Sequence, residues 1–315
     1  MRKPRKIVVR LKGGLGNQMF QYAAAFAVAA RNGMELVVDT RTGFARDRLY
    51  RRSFSLDKFN VSDRHASFYE QMPFWLEAIA DRFIPRARDF SGNRPWGLHI
   101  VEKQFQIYPE LISRRYDRSI WLDGGWQTEK YFEEMGEPVA DRFRIPEPRE
   151  EKFVALVSEI RQRNAIAIGI RLYEEAPPGA HDAAPFSFYE QAARRVANDV
   201  ENPVFYLFCT MREPIDGKLD LPGDIRYVTH DDGYTGELNR LWLLTRFRCH
   251  VISNSSFYWW GAWLAEKTLP EVRVWAADLF PNPETIPERW EQLEVLGPKT
   301  VQERCRSPSS VQEAR

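Results

Sequence analysis

The chain has 315 residues, enough for two medium-sized domains that each bury a core. Its 45 lysines and arginines balance 44 aspartates and glutamates, and a net charge of +1 excludes a global attraction to nucleic acid. Three cysteines without a CxxC spacing argue against a zinc site and against a disulfide framework. The absence of any run of about 18 apolar residues argues against a membrane span, so we expect a cytoplasmic protein.

The first predicted unit consists of a strand, a glycine-rich turn and a helix. Residues 6–11 (KIVVRL) read as a strand, and the turn GGLGNQ begins at Gly13. Apolar residues then continue at helical spacing to Arg31, before the helix-ending pair Asn32-Gly33. A second strand at 35–38 completes a βαβ unit of the Rossmann-like type, in which the turn glycines allow a ligand or a neighbouring loop to approach the backbone.

The middle of the chain predicts a domain boundary. Residues 138–151 contain three prolines among charged residues, which is typical of a linker. We therefore expect domains at 1–145 and 146–303, followed by a flexible tail at 304–315 that is rich in Ser, Gln and Glu.

The second half alternates strands with helices. Strands are predicted at 165–170, 204–208, 225–228 and 250–253, and helices at 151–163, 191–200 and 235–247. This alternation indicates a parallel sheet and a second Rossmann-like domain. The fold class that we expect is α/β, with two Rossmann-like domains whose parallel sheets face a central cleft.

Candidate ligands for an anion follow two of these strands. Arg171 comes directly after the strand at 165–170, where its guanidinium can bind a pyrophosphate in bidentate fashion. Asn254, Ser255 and Ser256 open a helix after the last predicted strand, and they combine hydroxyls with unpaired backbone N–H groups. The alternative for this segment is an ordinary N-cap before an aromatic core helix. The acidic stretch 230–232 reads as a turn, with a metal site as the alternative.

Three segments of the chain resemble the bacterial and animal α-1,2-fucosyltransferase family. Residues 13–23 (GGLGNQMFQYA) match the opening of that family, and residues 254–264 differ from its donor-binding motif NSSFSWWGAWL only at Tyr258. Residues 124–132 are similar to its segment G-Y-(W/F)-Q-S-E-K-Y-F, with Gly125 in place of an aromatic residue.

The resemblance implies an inverting glycosyltransferase of GT-B-like fold that transfers fucose from GDP-fucose to a galactose-containing glycan. The first domain then belongs to the acceptor and the second to the nucleotide sugar. No metal or other cofactor is expected, because the chain contains no DxD motif. Glu174 and Glu175 are both candidates for the catalytic base, which the sequence leaves unassigned. The resemblance assigns a catalytic role to Arg171. It assigns donor binding to Gly14, Gly16, Asn17, Gln18, Arg171, Thr210, Asn254, Ser255, Ser256 and Phe257.

Two departures from the family pattern leave the donor open. Where the family has H-x-R-x-G-D, this chain has Gly169, Arg171 and Glu174, and where the family has F-S-D-D, it has residues 208–211 (FCTM). A different nucleotide sugar on the same fold is therefore the second hypothesis. A non-catalytic glycan-binding relative is the third, together with an NAD enzyme that would use the Gly14-x-Gly16 turn and Asp39.

The expected partners are a nucleotide sugar and a glycan acceptor, without nucleic acid. Animal members of the family carry a membrane anchor, and this chain resembles the soluble bacterial form. For the basic residues 1–6, a solvated tail and a peripheral contact with the inner face of a membrane are both open. The sequence does not specify an oligomeric state.

Overall fold

The computed structural model describes residues 4–45, 47–83, 91–103, 106–173 and 183–295. Two six-stranded sheets organise these residues. The strands of each sheet come from one half of the chain, as the predicted pair of Rossmann-like units requires.

The first sheet is built on short apolar runs that pair side by side. Its strands are β1 (Lys6–Arg10), β2 (Glu35–Asp39), β3 (Arg64–His65), β4 (Gly92–Arg94), β5 (Gly97–Val101) and β6 (Ile120–Asp123). Their order is β3-β2-β1-β6-β5-β4, and only the β4–β5 pair is antiparallel. The carboxyl ends of β1, β2, β5 and β6 therefore meet at one edge of this sheet.

The second sheet is parallel between all its neighbouring strands. The strands are β7 (Asn164–Gly169), β8 (Pro203–Phe208), β9 (Asp224–Val228), β10 (Cys249–Ile252), β11 (Arg273–Ala277) and β12 (Glu291–Leu293). Their order is β12-β11-β10-β7-β8-β9. Residues 170, 209 and 253 follow β7, β8 and β10, so the predicted ligands on these loops share one edge.

Eight α-helices accompany the sheets in the described residues. They are α1 (Leu15–Asn32), α2 (Phe68–Phe83), α3 (Pro109–Ser113), α4 (Gly136–Arg142), α5 (Glu151–Arg161), α6 (Phe186–Ala197), α7 (Glu237–Leu244) and α8 (Ser256–Glu266). Short 3-10 helices lie at Leu56–Lys58, Glu129–Tyr131, Glu133–Met135 and Pro283–Thr285.

The central helix α8 joins the two halves through aromatic packing. Trp259 and Trp260 are buried, and their rings lie 4.4 Å and 5.0 Å from the ring of Phe20 on α1. Phe132 stacks on Trp260 with ring centroids 5.6 Å apart. Eight of the ten tryptophans are buried, so most aromatic residues serve the core rather than a sugar-binding surface.

The predicted strands and helices are present, with shifted ends. The helix predicted at 191–200 begins five residues earlier, at Phe186, directly after Pro185, whose extended backbone occupies the N-cap position. The helix predicted at 235–247 is limited to 237–244, and Gly236 with φ of +84° precedes it. The sheets are divided between residues 123 and 164, a span that contains the predicted boundary at 145/146. The boundary itself stays a prediction, and the tail 304–315 lies outside the described residues.

The described part of the basic N-terminus is held within the first domain. Arg5 donates to the carbonyl oxygens of Tyr116 and Asn32, at 2.6 Å and 3.3 Å. Lys6 forms an ion pair with Glu70, whose carboxylate oxygen is 2.5 Å from the lysine Nζ. A membrane contact through this segment stays a prediction. Among the described helices, none combines the length and the apolar character that crossing a bilayer demands.

Candidate functional site

Arg171 lies at the carboxyl edge of the second sheet and packs on an aromatic ring. Its Cζ is 4.6 Å from the ring centroid of Tyr173, and its backbone N–H donates to the Tyr189 hydroxyl at 3.4 Å. Tyr173 has a left-handed backbone, with φ of +57°, and its hydroxyl donates to the Asn254 carbonyl oxygen at 3.4 Å. A non-glycine residue in this region of backbone space is strained, a feature that is common at binding sites. Arg171 and Asn254 are thus connected through Tyr173.

The helix α8 begins at the same edge. Ser255 is its N-cap residue, and the first backbone bond of the helix runs from the Trp259 N–H to the Ser255 carbonyl oxygen at 3.0 Å. The N–H groups of the first turn have no partner further back in the helix, and this turn carries no acidic residue. These N–H groups and the helix dipole make the start of α8 suitable for an anion.

Asn17 connects the two terminal motifs. Its Oδ1 accepts a hydrogen bond from the Ser256 hydroxyl at 2.6 Å and a second from the Gln127 side-chain amide at 3.1 Å. The three segments that carry the family resemblance therefore meet at this oxygen. The two terminal motifs, which come from opposite halves of the chain, are thus in direct contact.

Gly16 brings the helices α1 and α8 together rather than opening space. A Cβ on Gly16 would lie 2.5 Å from the backbone carbon of Ser256, closer than atoms can approach. The indole N–H of Trp260 donates to the Gly16 carbonyl oxygen at 3.0 Å. The close approach that was expected for a ligand or a neighbouring loop is made by the backbone of α8. Around Gly14 there is room for a side chain, since a Cβ added to Gly14 would lie 4.0 Å from the Cζ of Arg52.

Gln18 is buried, and its amide is used within the protein. It donates to the carbonyl oxygens of Gly13 and Ser53, both at 2.9 Å, and it accepts from the Ser55 N–H at 3.0 Å. Gln18 therefore holds the loop at 53–55 against the glycine turn. Its direct contact with a donor stays a prediction.

Thr210 lies beside a buried arginine that the sequence reasoning missed. The Thr210 carbonyl oxygen accepts from the His230 N–H at 3.0 Å. Arg240 is buried, donates to the Cys209 carbonyl oxygen at 2.9 Å, and lies 3.0 Å from the His230 Nε2. Burial, with the Arg240 charge, lowers the pKa of His230, so that the ring is neutral and accepts from Arg240. Arg240 can be identified only from its contacts in the fold, because in the sequence it resembles any other polar residue of a helix.

Residues 230–232 form a turn, which was the first of the two interpretations of this acidic stretch. Asp231 accepts from the Arg212 N–H at 2.8 Å, and Asp232 accepts from the Thr229 hydroxyl at 2.5 Å. Nowhere in the residues that the structure describes do three or more His, Cys, Asp or Glu side chains gather closely enough to hold a metal ion.

Comparison with known proteins supplies relatives over nearly the whole chain, although no protein-family model matches it. An α-1,2-colitosyltransferase of Escherichia coli is 29% identical over 306 residues, covering 91% of this chain and 99% of that protein. The O-antigen biosynthesis glycosyltransferase WbnK of Escherichia coli is 23% identical and covers 85% of this chain and 94% of that protein.

A solved structure has the same fold. The fucosyltransferase NodZ from Bradyrhizobium superposes with a TM-score of 0.50 at 17% identity, covering 82% of this chain and 92% of NodZ. Two mostly parallel sheets with flanking helices, one in each half of the chain, are the GT-B-like arrangement. The protein is a glycosyltransferase.

The glycosyltransferase also has a charged edge on its first sheet, which the sequence reasoning did not identify. Lys12 and Arg10 both contact Asp123, at 2.6 Å and 2.8 Å. Burial disfavours the charged form of Asp123, but the two cations outweigh it and hold the pKa of this carboxyl below its usual range.

Glu102 lies at the same edge and is held by the turn after β6. Its Oε2 accepts from the backbone N–H groups of Gly125 and Trp126, at 2.5 Å and 3.2 Å. Burial raises the pKa of Glu102, and the two backbone hydrogen bonds oppose that shift. Because Gln127 of the same turn bonds to Asn17, this carboxyl belongs to the edge where the two halves meet. Glu174, the acid that the family resemblance pointed to, lies outside the described residues.

Proposed function

We propose that this glycosyltransferase is an inverting enzyme that transfers fucose from GDP-fucose to a galactose-containing glycan. The observation that carries the proposal is the meeting of the two terminal motifs at Asn17, beside the edge that carries Arg171. In parallel α/β sheets, ligands bind at the carboxyl ends of the strands. The site would thus lie between the facing edges of the two sheets.

The electrostatics of this edge suit a nucleoside diphosphate. Arg171 and the start of α8 supply positive potential from two directions, and neither source is a metal ion. In the reaction, an acceptor hydroxyl attacks C1 of the sugar while the bond from C1 to the diphosphate oxygen breaks. The diphosphate takes the electron pair, and the hydroxyl proton passes to a base. Arg171 would stabilise the charge that grows on the departing diphosphate.

A colitosyl donor is the second candidate, because the relative with 29% identity is an α-1,2-colitosyltransferase. Colitose is fucose without its 3-hydroxyl, so the two donors differ by one polar group. A site that hydrogen-bonds this hydroxyl would discriminate strongly between them, whereas an apolar site would not.

The test is calorimetric titration of the protein with GDP, UDP, dTDP and NAD, followed by product analysis with the sugar nucleotide whose base binds. We expect GDP to bind most tightly and the new linkage to have the anomeric configuration opposite to that of the donor. Selective binding of UDP or dTDP would replace the donor in this proposal. Selective binding of NAD, or glycan binding without transfer from any donor, would contradict it.

A further inference from the structure

Gly169, at the end of β7, faces the aromatic ring of Tyr258 in the first turn of α8. A Cβ on residue 169 would lie 2.4 Å from Cγ of this ring and 2.6 Å and 2.7 Å from its two Cδ atoms. Real Cβ atoms do not approach other atoms so closely, and the ring is 5% exposed and enclosed. Any residue other than glycine at position 169 therefore requires the ring of Tyr258 to leave.

The hydroxyl of Tyr258 ties two strand ends together. It lies 2.9 Å from the Phe208 carbonyl oxygen and 3.2 Å from the Ile170 carbonyl oxygen, so it can donate a hydrogen bond to either. Ile170 immediately precedes Arg171, and Phe208 lies two residues before Thr210. Tyr258 thus reaches the ends of both strands, which are also joined directly by the hydrogen bond from the Ile170 N–H to the Phe208 carbonyl oxygen at 2.9 Å.

Residues 169 and 171 face the same side of the sheet. Ile166, Ile168 and Ile170 all pack in one core, whereas Ala167 packs in the other core together with the aromatic residues of α8. By this alternation, Gly169 and Arg171 both face the side of α8. The ring of Tyr258 therefore fills the space next to Arg171 into which a side chain at 169 would project.

We propose that positions 258 and 169 act as a pair, and that the pair determines donor specificity at the Arg171 edge. The tyrosine ring replaces a side chain at position 169, and its hydroxyl positions the loops carrying Arg171 and Thr210. Donor recognition at this edge then proceeds without a polar side chain from position 169. The inference rests on the proposed nucleotide-sugar site but does not require that the nucleotide be GDP.

The family motifs quoted above have histidine at the position of Gly169 and serine at that of Tyr258. In those motifs a large residue on the strand accompanies a small residue on the helix. This chain has the small residue, Gly169, on the strand and the large one, Tyr258, on the helix. The geometry explains why both positions differ together, since the two large side chains cannot occupy the same space.

The test is a double-mutant cycle with Gly169→Ala, Tyr258→Ser and the double variant, each assayed for kcat and KM with the preferred donor and with competing sugar nucleotides. We expect Gly169→Ala to lower kcat/KM for the donor at least about 10-fold, and Tyr258→Ser to restore most of this loss in the double variant. We expect Gly169→His combined with Tyr258→Ser to change the ratio of kcat/KM between two donors by about 10-fold or more.

Tyr258→Phe separates the ring from the hydroxyl. It retains the shape that fills the space at 169 but removes the bond to the strand ends. We expect it to raise KM for the donor several-fold while the ratio between donors is retained, since the ring determines that ratio.

Gly261 provides a matched control in the same helix. A Cβ there would lie 2.7 Å from the Leu244 side chain, away from the strand edge. We expect Gly261→Ala to lower the unfolding midpoint without changing the ratio between donors.

If donor ratios are unchanged in every 169 and 258 variant, or change equally in Gly261→Ala, the inference is wrong. If Gly169→Ala does not fold, Tyr258→Ser and the two double variants still measure the ratio. If the wild type prefers UDP or dTDP, the proposed function fails while the cycle remains measurable with that donor.

Discussion

Arg171 is supported by an aromatic ring, and this determines what its replacement does. The guanidinium lies over Tyr173, with its Cζ 4.6 Å from the ring centroid, which limits its rotamers. Its planar fork of N–H groups has the geometry to bind two phosphate oxygens. We expect Arg171→Ala to lower kcat by roughly 100-fold or more, because the contact strengthens as the diphosphate leaves. We expect Arg171→Lys to recover part of the loss, since a lysine supplies the charge without the bidentate geometry. The measurement is steady-state kinetics with the preferred sugar nucleotide.

A matched control is available at the opposite end of the same sheet. Arg273, the first residue of β11, stacks on Trp275 with its Cζ 4.7 Å from the ring. Arg273→Ala removes a similar cation–aromatic contact far from the carboxyl edge and should leave kcat unchanged. Equal losses in both variants would show that Arg171 acts through stability alone.

The residue-scale features differ in how far the sequence predicts them. The place of Arg171 follows from the strand before it, and the shared edge follows from strand alternation. The buried amide of Gln18 and the contact of Arg240 with His230 depend on partners 35 and 10 residues away in the chain. A pattern of residue types contains no information about which partner a buried polar group will meet, so these contacts could not be predicted.

At the scale of the single element, β10 carries a buried histidine that makes stability depend on pH. His250 is fully buried and its Nε2 contacts the Phe247 carbonyl oxygen at 3.0 Å. Burial lowers the pKa of His250 from 6.5 to about 4. Between these two values the unfolded chain binds a proton that the folded chain does not. The folded state therefore loses stability as the pH falls from about 6.5 to about 4, at about 1.4 kcal/mol per pH unit.

We expect this loss to be smaller in His250→Gln, whose side chain does not titrate. His99 on β5, whose pKa burial also lowers to about 4, should account for a similar part of the wild-type effect. The measurement is urea unfolding at several pH values between 4 and 7. If the wild type and His250→Gln lose stability in parallel over this range, His250 is protonated in the folded state and this explanation is wrong.

Three of the elements that the sequence analysis left unassigned, β3, β12 and α2, depend on their tertiary neighbours. The strand β3 has two exposed residues and exists because it pairs with β2, and β12 exists because it pairs with β11. The helix α2 contains Pro73, a residue that a local reading takes as the end of a helix. In each of these three cases tertiary pairing or packing decides the conformation, whereas strands such as β1, β7 and β8 are predicted by their own apolar runs.

At the scale of the whole molecule, the contact between α1 and α8 joins the two halves. Gly16 allows the backbone of Ser256 to approach, and the Trp260 indole bonds to the Gly16 carbonyl oxygen. We expect Gly16→Ala to lower the free energy of unfolding by about 1–3 kcal/mol, because a backbone neighbour cannot move aside as a flexible side chain can. Activity should also fall, since the start of α8 and Asn17 move apart.

Gly14→Ala is the control for this variant. Its added Cβ would have 4.0 Å of clearance to the nearest side chain, and its φ of −74° is compatible with alanine. Thermal unfolding should show a lower midpoint for Gly16→Ala and little change for Gly14→Ala. Equal midpoints for the two variants would mean that the helices adjust freely and that the close contact does not restrain the two halves.

The architecture of two parallel sheets could be predicted from sequence because strands and helices alternate with short connections. The shared aromatic core could not be predicted in detail, because it places α1 residues near position 20 against α8 residues near position 260. The rule for carboxyl edges places each terminal motif at the carboxyl edge of its own sheet. That they meet through a direct bond between Asn17 and Ser256 required the structure.

The most direct test of the account is sugar transfer by the wild-type enzyme and by Arg171→Ala in the presence of excess EDTA. GDP-fucose serves as donor and a galactose-terminated oligosaccharide as acceptor, with mass spectrometry of the product. Because the chain has no DxD motif and Arg171 with the start of α8 can stabilise the leaving diphosphate, we expect the wild type to form fucosylated product in EDTA. The Arg171→Ala variant should form at least about 100-fold less per unit time. Loss of wild-type transfer in EDTA with recovery on adding Mg²⁺ or Mn²⁺, or full transfer by Arg171→Ala, would contradict the account.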